Sequence, residues 1–325
     1  MKMYSEKLKK ISNLGNQETV IDIGSNDGTF LSNYKRTNRL IGVDPTIKKL
    51  KRLYRKDIIT VPEFFSSKII SKYLKSEKAK IITSISMFYD LPAPIQFAQD
   101  IYECLDSDGI WHLEQSYMPL MLKNISYDTI CHEHLEYYSL KTIKYIFDKV
   151  GFKIIDLEFN DINGGSFALT VSKKNSKYSE YSKIVNWLLS KEEKYKYNSI
   201  ATHLKFFNNV KQHKKLLRDL LLNLADMKKK VIGYGASTKG NVILQYCNLN
   251  SKNIKFIVDV NKDKNNKYTP GSLINIVSEK EIKKYQPDYM LVLPWHFKNF
   301  ILQKERNYLR HGGKLIFPLP DIEIV

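Results

Sequence analysis

Val20-Ile21-Asp22-Ile23-Gly24-Ser25-Asn26-Asp27-Gly28-Thr29 decides the fold of the first half of the chain. A short apolar run, the pattern of a strand buried on both faces, enters a turn with two glycines and then a helix. Glycine lets a backbone pass close to a ligand because no Cβ stands in the way. The turn is not the dinucleotide fingerprint G-x-G-x-x-G, and it carries Asp22 and Asp27, where a pyrophosphate would be repelled. Acid at this place suits a ligand with an amino group and a sulfonium charge. NAD is the rival cofactor, and a turn merely capped by its acids is the plain structural alternative. Gly42-Val43-Asp44-Pro45 ends the next apolar run. An acid about 20 residues after a glycine turn is placed to bind ribose hydroxyls.

Outward from this turn, strands and helices alternate. Apolar runs occupy residues 40–43, 80–85 and 109–114, and helical patterns occupy 48–55, 64–74 and 94–105. A polar helix is expected within residues 1–18. The alternation predicts an α/β fold with a doubly wound parallel sheet. Residues 141–150 read as a helix closed by Gly151, and 152–158 with 166–172 as an antiparallel hairpin that finishes the sheet. From 177 to 230 the apolar residues fall at helical spacing, as one or two linking helices would place them. A second series then begins with runs at 230–235, 254–258 (ending at Asp259), 289–293 and 314–317. Two Rossmann-like doubly wound sheets joined by helices are therefore expected, with domains at 1–175, 176–230 and 231–325.

Bulk properties set limits. The chain has 325 residues, 43% of them hydrophobic, which is enough for two cores. No apolar stretch is long enough to span a bilayer and the N-terminus shows no signal-peptide pattern, so a cytoplasmic protein without a membrane partner is expected. Cys104, Cys131 and Cys247 lie far apart, which suggests neither a zinc knuckle nor a disulfide framework. The net charge is +18. A basic surface attracts nucleic acid, anionic lipid or phosphorylated small molecules. The lysines are scattered, so nucleic acid is not the expected partner, and a basic nucleic-acid-associated protein stays the alternative of another class.

The segment Tyr127-Asp128-Thr129-Ile130-Cys131-His132-Glu133-His134-Leu135-Glu136-Tyr137-Tyr138 is the richest in chemistry. Metalloprotease spacing is H-E-x-x-H, which sets both imidazoles on one helix face. Here the histidines are two apart and would diverge on a helix, so no metal site is expected. Histidine accepts a proton at neutral pH, and a neighbouring carboxylate orients it, which points to acid–base work near the ligand of the first sheet. Gly233-Tyr234-Gly235-Ala236-Ser237-Thr238-Lys239-Gly240-Asn241 is a second glycine turn before a helix. Such a turn and helix N-terminus can hold a diphosphate, with Lys239 adding charge.

The first turn and Asp44 resemble the donor site of class I S-adenosylmethionine methyltransferases. That likeness assigns cofactor contacts to Asp22, Gly24, Ser25, Asn26, Asp27, Gly28, Asp44 and Pro45, with Glu63, Phe64 and Phe65 as candidates to flank the adenine. The H-E-H segment, Met87-Phe88-Tyr89-Asp90-Leu91, Asn163-Gly164-Gly165-Ser166, the second glycine turn, Tyr268-Thr269-Pro270-Gly271 and Leu293-Pro294-Trp295-His296-Phe297 resemble, in order, the motifs of the sugar C-methyltransferase family. The resemblance spans roughly residues 18–320. It implies methyl transfer from S-adenosylmethionine to carbon 3 of a nucleotide-diphosphate-linked 4-keto-deoxysugar through an enolate. It implies His134 as the base, Glu133 as its support, and His132 and Tyr89 nearby. It implies substrate contacts from Asn163, Gly164, Gly165, Tyr234, Gly235, Ala236, Lys239, Gly240, Asn241, Asp259, Tyr268, Trp295 and His296. Family members usually begin with a cysteine-rich zinc domain, which this chain is expected to lack, and many carry Tyr where Cys131 stands. O-methylation of a nucleotide-sugar hydroxyl would use the same donor site and base, and is the nearer alternative.

Overall fold

The computed structural model describes every residue except Lys75 and divides into two compact units. The first comprises Met1–Tyr117, Leu135–Asn160 and Gly165–Tyr195, and the second Met118–His134, Asp161–Gly164 and Lys196–Val325. The units therefore interleave in sequence, and the expected linking segment 176–230 divides between them.

The first unit is a seven-stranded sheet: β1 (Thr19–Ile23), β2 (Arg39–Val43), β3 (Ile58–Val61), β4 (Ala79–Ile85), β5 (Leu105–Ser116), β6 (Phe152–Asn160) and β7 (Ser166–Lys173). Their order is β3-β2-β1-β4-β5-β7-β6. Strands β1 to β5 pair in parallel, while β7 pairs antiparallel with both β5 and β6. The expected hairpin is present. The strand β3, Ile58-Ile59-Thr60-Val61, was not among the expected strands; only its two end residues are buried at the sheet edge. Every residue of β1 is buried, as a central parallel strand requires. Behind the sheet Trp111 gathers Phe88, Phe147 and Phe152 at ring distances of 5.6, 5.5 and 5.6 Å, and its Nε1 donates to Ser84 Oγ at 2.9 Å.

The second unit is a six-stranded sheet: β8 (Val231–Tyr234), β9 (Ile257–Asp259), β10 (Ile276–Ser278), β11 (Tyr289–Val292), β12 (Lys314–Phe317) and β13 (Glu323–Ile324). The order β10-β9-β8-β11-β12-β13 again puts the first strand between the second and fourth, and only β13 runs antiparallel. The sequence reading passed over the short strands β10 and β13. The helix Ile200–Asp226 buries Val210, His213, Leu217, Leu221 and Leu224, a stripe of threes and fours. His213 is held at both nitrogens: Nε2 donates to the Pro318 carbonyl at 2.6 Å, so Nδ1 accepts the Tyr127 hydroxyl at 3.2 Å. Among the described residues no helix is long and apolar enough to cross a membrane.

One buried carboxylate fastens the first unit. Glu192, on the helix Ser182–Lys194, is 2% exposed. It accepts from the Tyr117 hydroxyl at 2.6 Å and from the amides of Leu140 and Lys141 at 2.7 and 3.0 Å. The two amides begin the helix Leu140–Val150, whose dipole favours an anion there. Glu192→Ala is expected to lower unfolding stability by about 2–4 kcal/mol, because three buried donors lose a charged acceptor. Glu192→Gln, which keeps one acceptor oxygen, is expected to lose roughly half of that. Urea unfolding followed by tryptophan fluorescence checks this. An unchanged midpoint in the alanine variant would mean that the carboxylate fastens nothing.

Candidate active site

The turn after β1 is locked to the end of β2. Gly24 leaves the strand at φ +71°, a conformation that disfavours any side chain, and its amide donates to the Val43 carbonyl at 2.9 Å. Asp44, 8% exposed, accepts from the Asn26 amide at 2.9 Å through Oδ2 and from the Thr46 amide at 2.7 Å through Oδ1. Tyr54, which the sequence reading missed, braces the same turn. Its hydroxyl donates to the Asn26 carbonyl at 2.9 Å and accepts from Ser25 Oγ at 2.7 Å, and its ring lies under Gly28. Asp22 is buried and takes the Thr83 hydroxyl at 2.6 Å. Burial pushes its pKa up to about 7, with the Asp44 charge adding and Thr83 opposing. Asp27 accepts from Thr29, whose hydroxyl first and whose amide (3.0 Å) next hold its carboxyl below the usual range.

Gly24 and Asn26 are exposed at the carboxyl end of β1, between β2 and β4, where open α/β sheets bind ligands. Nothing in residues 24–29 carries a positive charge, and Asp44 keeps lone pairs beyond those its two amides use. These features fit a cationic, ribose-bearing donor such as S-adenosylmethionine. Phe64 is exposed past β3, whereas Phe65 packs edge-on against Phe97 at 5.2 Å. Tyr89 is buried, and its carbonyl receives the amides of Leu135 and Glu136 at 3.0 and 3.1 Å. The Gly165 carbonyl receives the Tyr117 amide at 3.1 Å.

In the second unit, residues from four separate stretches meet. Trp295 Nε1 donates to Asp128 Oδ2 at 2.8 Å. Gly164 fits against both Ser126 and Trp295: a Cβ there would stand 2.9 Å from Ser126 Oγ and from the Trp295 ring. Asn124 Nδ2 donates to the Gly164 carbonyl at 2.8 Å. Lys239 Nζ donates to Asn163 Oδ1 at 2.8 Å. Burial pushes the Lys239 pKa down, opposed by the nearby Asp128 charge. Asp128 is 1% exposed, and burial raises its carboxyl to about 6 against the pull of Trp295 and Lys239.

The H-E-H segment edges this cluster. His132 and Glu133 are exposed, whereas His134 is half-buried. The His134 ring hydrogen-bonds the Thr129 carbonyl. Burial lowers its pKa, and the Lys239 charge lowers it further. Glu133 is held below the usual carboxyl range by a backbone amide, by the Cys131 thiol and by both histidines. Burial and Lys239 bring His296 down to about 4. Asp128 and Ser126 carried no role in the sequence reading. Their signal is local: both lie just upstream of the H-E-H motif.

The remaining residues frame a cleft of about 670 Å³ at the carboxyl ends of β8, β9 and β11, lined by Tyr234, Gly235, Ala236, Asp259, Phe297 and Phe300 among others. Gly235 has φ +81°, and its amide donates to the Val258 carbonyl at 2.8 Å. Asp259 accepts from the amides of Ala236 and Asn261 at 2.8 and 2.7 Å, and from Lys264 Nζ at 3.2 Å. Phe297 and Phe300 leave apolar rings 53% and 65% exposed at the cleft. Tyr234 donates to Glu305 at 2.8 Å. Lys239 does not line the cleft; its ammonium goes to Asn163. Gly240 packs against Leu293, and its amide is capped by Ser237 Oγ at 2.9 Å. Asn241 continues that helix, and Tyr268 is exposed at an isolated bridge to Asn275.

Comparisons with known proteins find two family matches along the chain. Residues 2–157 match the model of a methyltransferase domain, and residues 161–320 match that of a C-methyltransferase C-terminal domain. The chain is 28% identical to the C-methyltransferase NovU of Streptomyces niveus over 95% of its own length and 74% of that protein. Solved structures with a similar backbone include the plantazolicin methyltransferase BpumL in complex with S-adenosylhomocysteine (11% identity, TM-score 0.42, 53% of this chain and 82% of that one). LepI in complex with S-adenosylmethionine is another (16% identity, TM-score 0.42, 51% of this chain and 46% of that one). The two family matches follow one another along nearly the whole sequence, and the chain belongs to the C-methyltransferases that join a methyltransferase domain to a C-methyltransferase C-terminal domain and draw their methyl group from S-adenosylmethionine.

Proposed function

We propose that the acceptor is a nucleotide-diphosphate-linked 4-keto-deoxysugar, methylated at the carbon beside its ketone, C3. One observation carries the substrate class. Each unit has a glycine turn tied by a carboxylate at the end of the neighbouring strand, Asp44 in the first and Asp259 in the second. A chain with two such crevices is suited to two nucleoside-bearing ligands, a donor and a nucleotide-activated acceptor. In the second crevice Phe297 and Phe300 offer faces for a base, and Lys264 and Lys304 offer charge for phosphates. The base belongs to the same unit as that crevice, as an acceptor-activating group should.

The donor crevice would hold S-adenosylmethionine through Asp44 and the backbone at Gly24 and Asn26, and when bound that cofactor supplies an electrophilic methyl group. His134 does the work on the acceptor. Its bond to Thr129 fixes one nitrogen as the donor, so the other carries the lone pair that takes the proton from the carbon beside the ketone. The lowered His134 pKa keeps the ring neutral at neutral pH. The three cysteines, all free, suit a reducing cytoplasm, where such activated sugars would be met.

Asp44→Ala is expected to weaken S-adenosylhomocysteine binding about 10- to 100-fold, since a charged acceptor to a ribose is lost. Calorimetry reads it, and equal affinity would remove Asp44 from the donor site. Phe297→Ala should raise the KM for the nucleotide sugar while leaving donor affinity alone; steady-state kinetics showing no such split would leave the cleft without a base. His134→Ala should slow methyl transfer by about 10²–10⁴-fold. In deuterated water without donor, the wild type should exchange the proton beside the ketone, with a rate that falls as pH drops through the lowered His134 pKa, below 6.5. The variant should not exchange. A methylated sugar oxygen with no exchange at carbon would sink the keto-sugar reading.

A further inference from the structure

We infer that the Lys239 ammonium stabilises the enolate oxygen, and that it is not a clamp for the substrate diphosphate. The inference rests on the keto-sugar reading above. A helix-initial lysine after a glycine turn ordinarily serves phosphates. Here the side chain turns away from the nucleotide cleft and enters the polar cluster, where Asn163 fixes it at 2.8 Å. That cluster holds polar atoms with no protein partner: Asp128 Oδ1, Ser126 Oγ and His296 Nδ1. A buried polar group without a partner is costly, and several around one cation mark a place built for a polar ligand. Asp128 is almost wholly buried and is itself fixed by Trp295. The same lysine acts on the charge of His134, which stands in the same unit at the edge of the cluster.

The step balances without a further reagent. The bond between the carbon beside the ketone and its hydrogen breaks, and the proton goes to the His134 nitrogen. The electron pair forms the new C=C bond, and the carbonyl π pair moves onto oxygen, where the Lys239 ammonium donates a hydrogen bond. Reversal in deuterated water returns deuterium to carbon. The cation has a second effect. A positive charge beside an imidazole disfavours its protonation, so Lys239 also keeps His134 neutral. The other charged group acting on His134 is Glu133 on its own segment; Asp128 and Cys131 act on Lys239, and Lys239 in turn lowers His296.

The test uses the full chain, with donor-free exchange measured by NMR on a nucleotide-linked keto-sugar. Lys239→Met should lower the exchange rate at saturation by about 10²–10³-fold, the usual loss for one oxyanion donor, with the substrate KM little changed. Its residual exchange should show the acid limb shifted to higher pH, because His134 loses a positive neighbour. Should the methionine variant fail to fold, Lys239→Gln keeps a donor for Asn163, loses only the charge and should show the same loss. Lys239→Arg should recover part of the rate. Unchanged calorimetric affinity for S-adenosylhomocysteine certifies the fold of each variant. A raised KM with normal saturating exchange would restore the diphosphate role and overturn the inference. Exchange that survives in both neutral variants would overturn it as well. No exchange by the wild type would defeat the keto-sugar reading and this inference with it.

Discussion

A carboxylate at the end of one parallel strand, hydrogen-bonded to the backbone of the glycine turn that ends its neighbour, is the constraint on which both halves depend. In the first unit Asp44 takes the Asn26 amide, in the second Asp259 takes the Ala236 amide, and each also takes the amide two residues beyond itself. Aspartate is short enough to reach both donors without leaving its strand end. A carboxylate accepts from several directions at once, so the turn amides are satisfied and lone pairs stay available. The glycine at the strand end needs its positive φ for the chain to turn back onto that carboxylate. The result is an open crevice between diverging loops, twice in one chain, with no requirement that the two ligands be alike.

What differs between the crevices is charge. The donor turn has Asp22 and Asp27 and no cation, and the buried Asp22 is held near the point of protonation by its surroundings. A cationic ligand there would favour the ionised carboxylate, returning part of the cost of burying it. The second unit instead brings Lys264 and Lys304 to its cleft, each paired there with a carboxylate, Asp259 and Glu279, and Lys239 to the cluster beside it. Net charge alone spoke only of anions in general.

Much of this was legible in the sequence where local pattern and local structure coincide. The central strands are continuous apolar runs because they are buried on both faces, and the helix ending at Gly151 stops in the left-handed turn that glycine permits. The strands β3, β10 and β13 escaped notice because two to four residues are too few to show a strand's period, and these are apolar in β3 and exposed in β13. Site residues were found as motifs, but their grouping was not. Sequence order put the H-E-H segment with the first sheet, whereas the fold counts Met118–His134 with the second unit. Lys239 read as a phosphate ligand from its place after a glycine turn. Only the tertiary contact with Asn163, 76 residues away, redirects it. Tyr54 and Asp128 act through partners distant in the chain, and no spacing rule reaches that far.

The stretch Pro294–Phe297 joins the cleft of the second unit to its polar cluster. Pro294 and Phe297 face the cleft, while the Trp295 and His296 between them belong to the polar cluster. The glycine turn is divided in the same way: Gly235 to Ser237 line the cleft, and Lys239 enters the cluster. Both walls between the two spaces are thus single segments that give some side chains to the cleft and others to the cluster. A ligand that pushes on Phe297 pushes on the backbone that carries Trp295, and through its indole on Asp128. On the function proposed above, binding energy from a nucleotide, remote from the reacting carbon, would thereby be used to set the polar cluster.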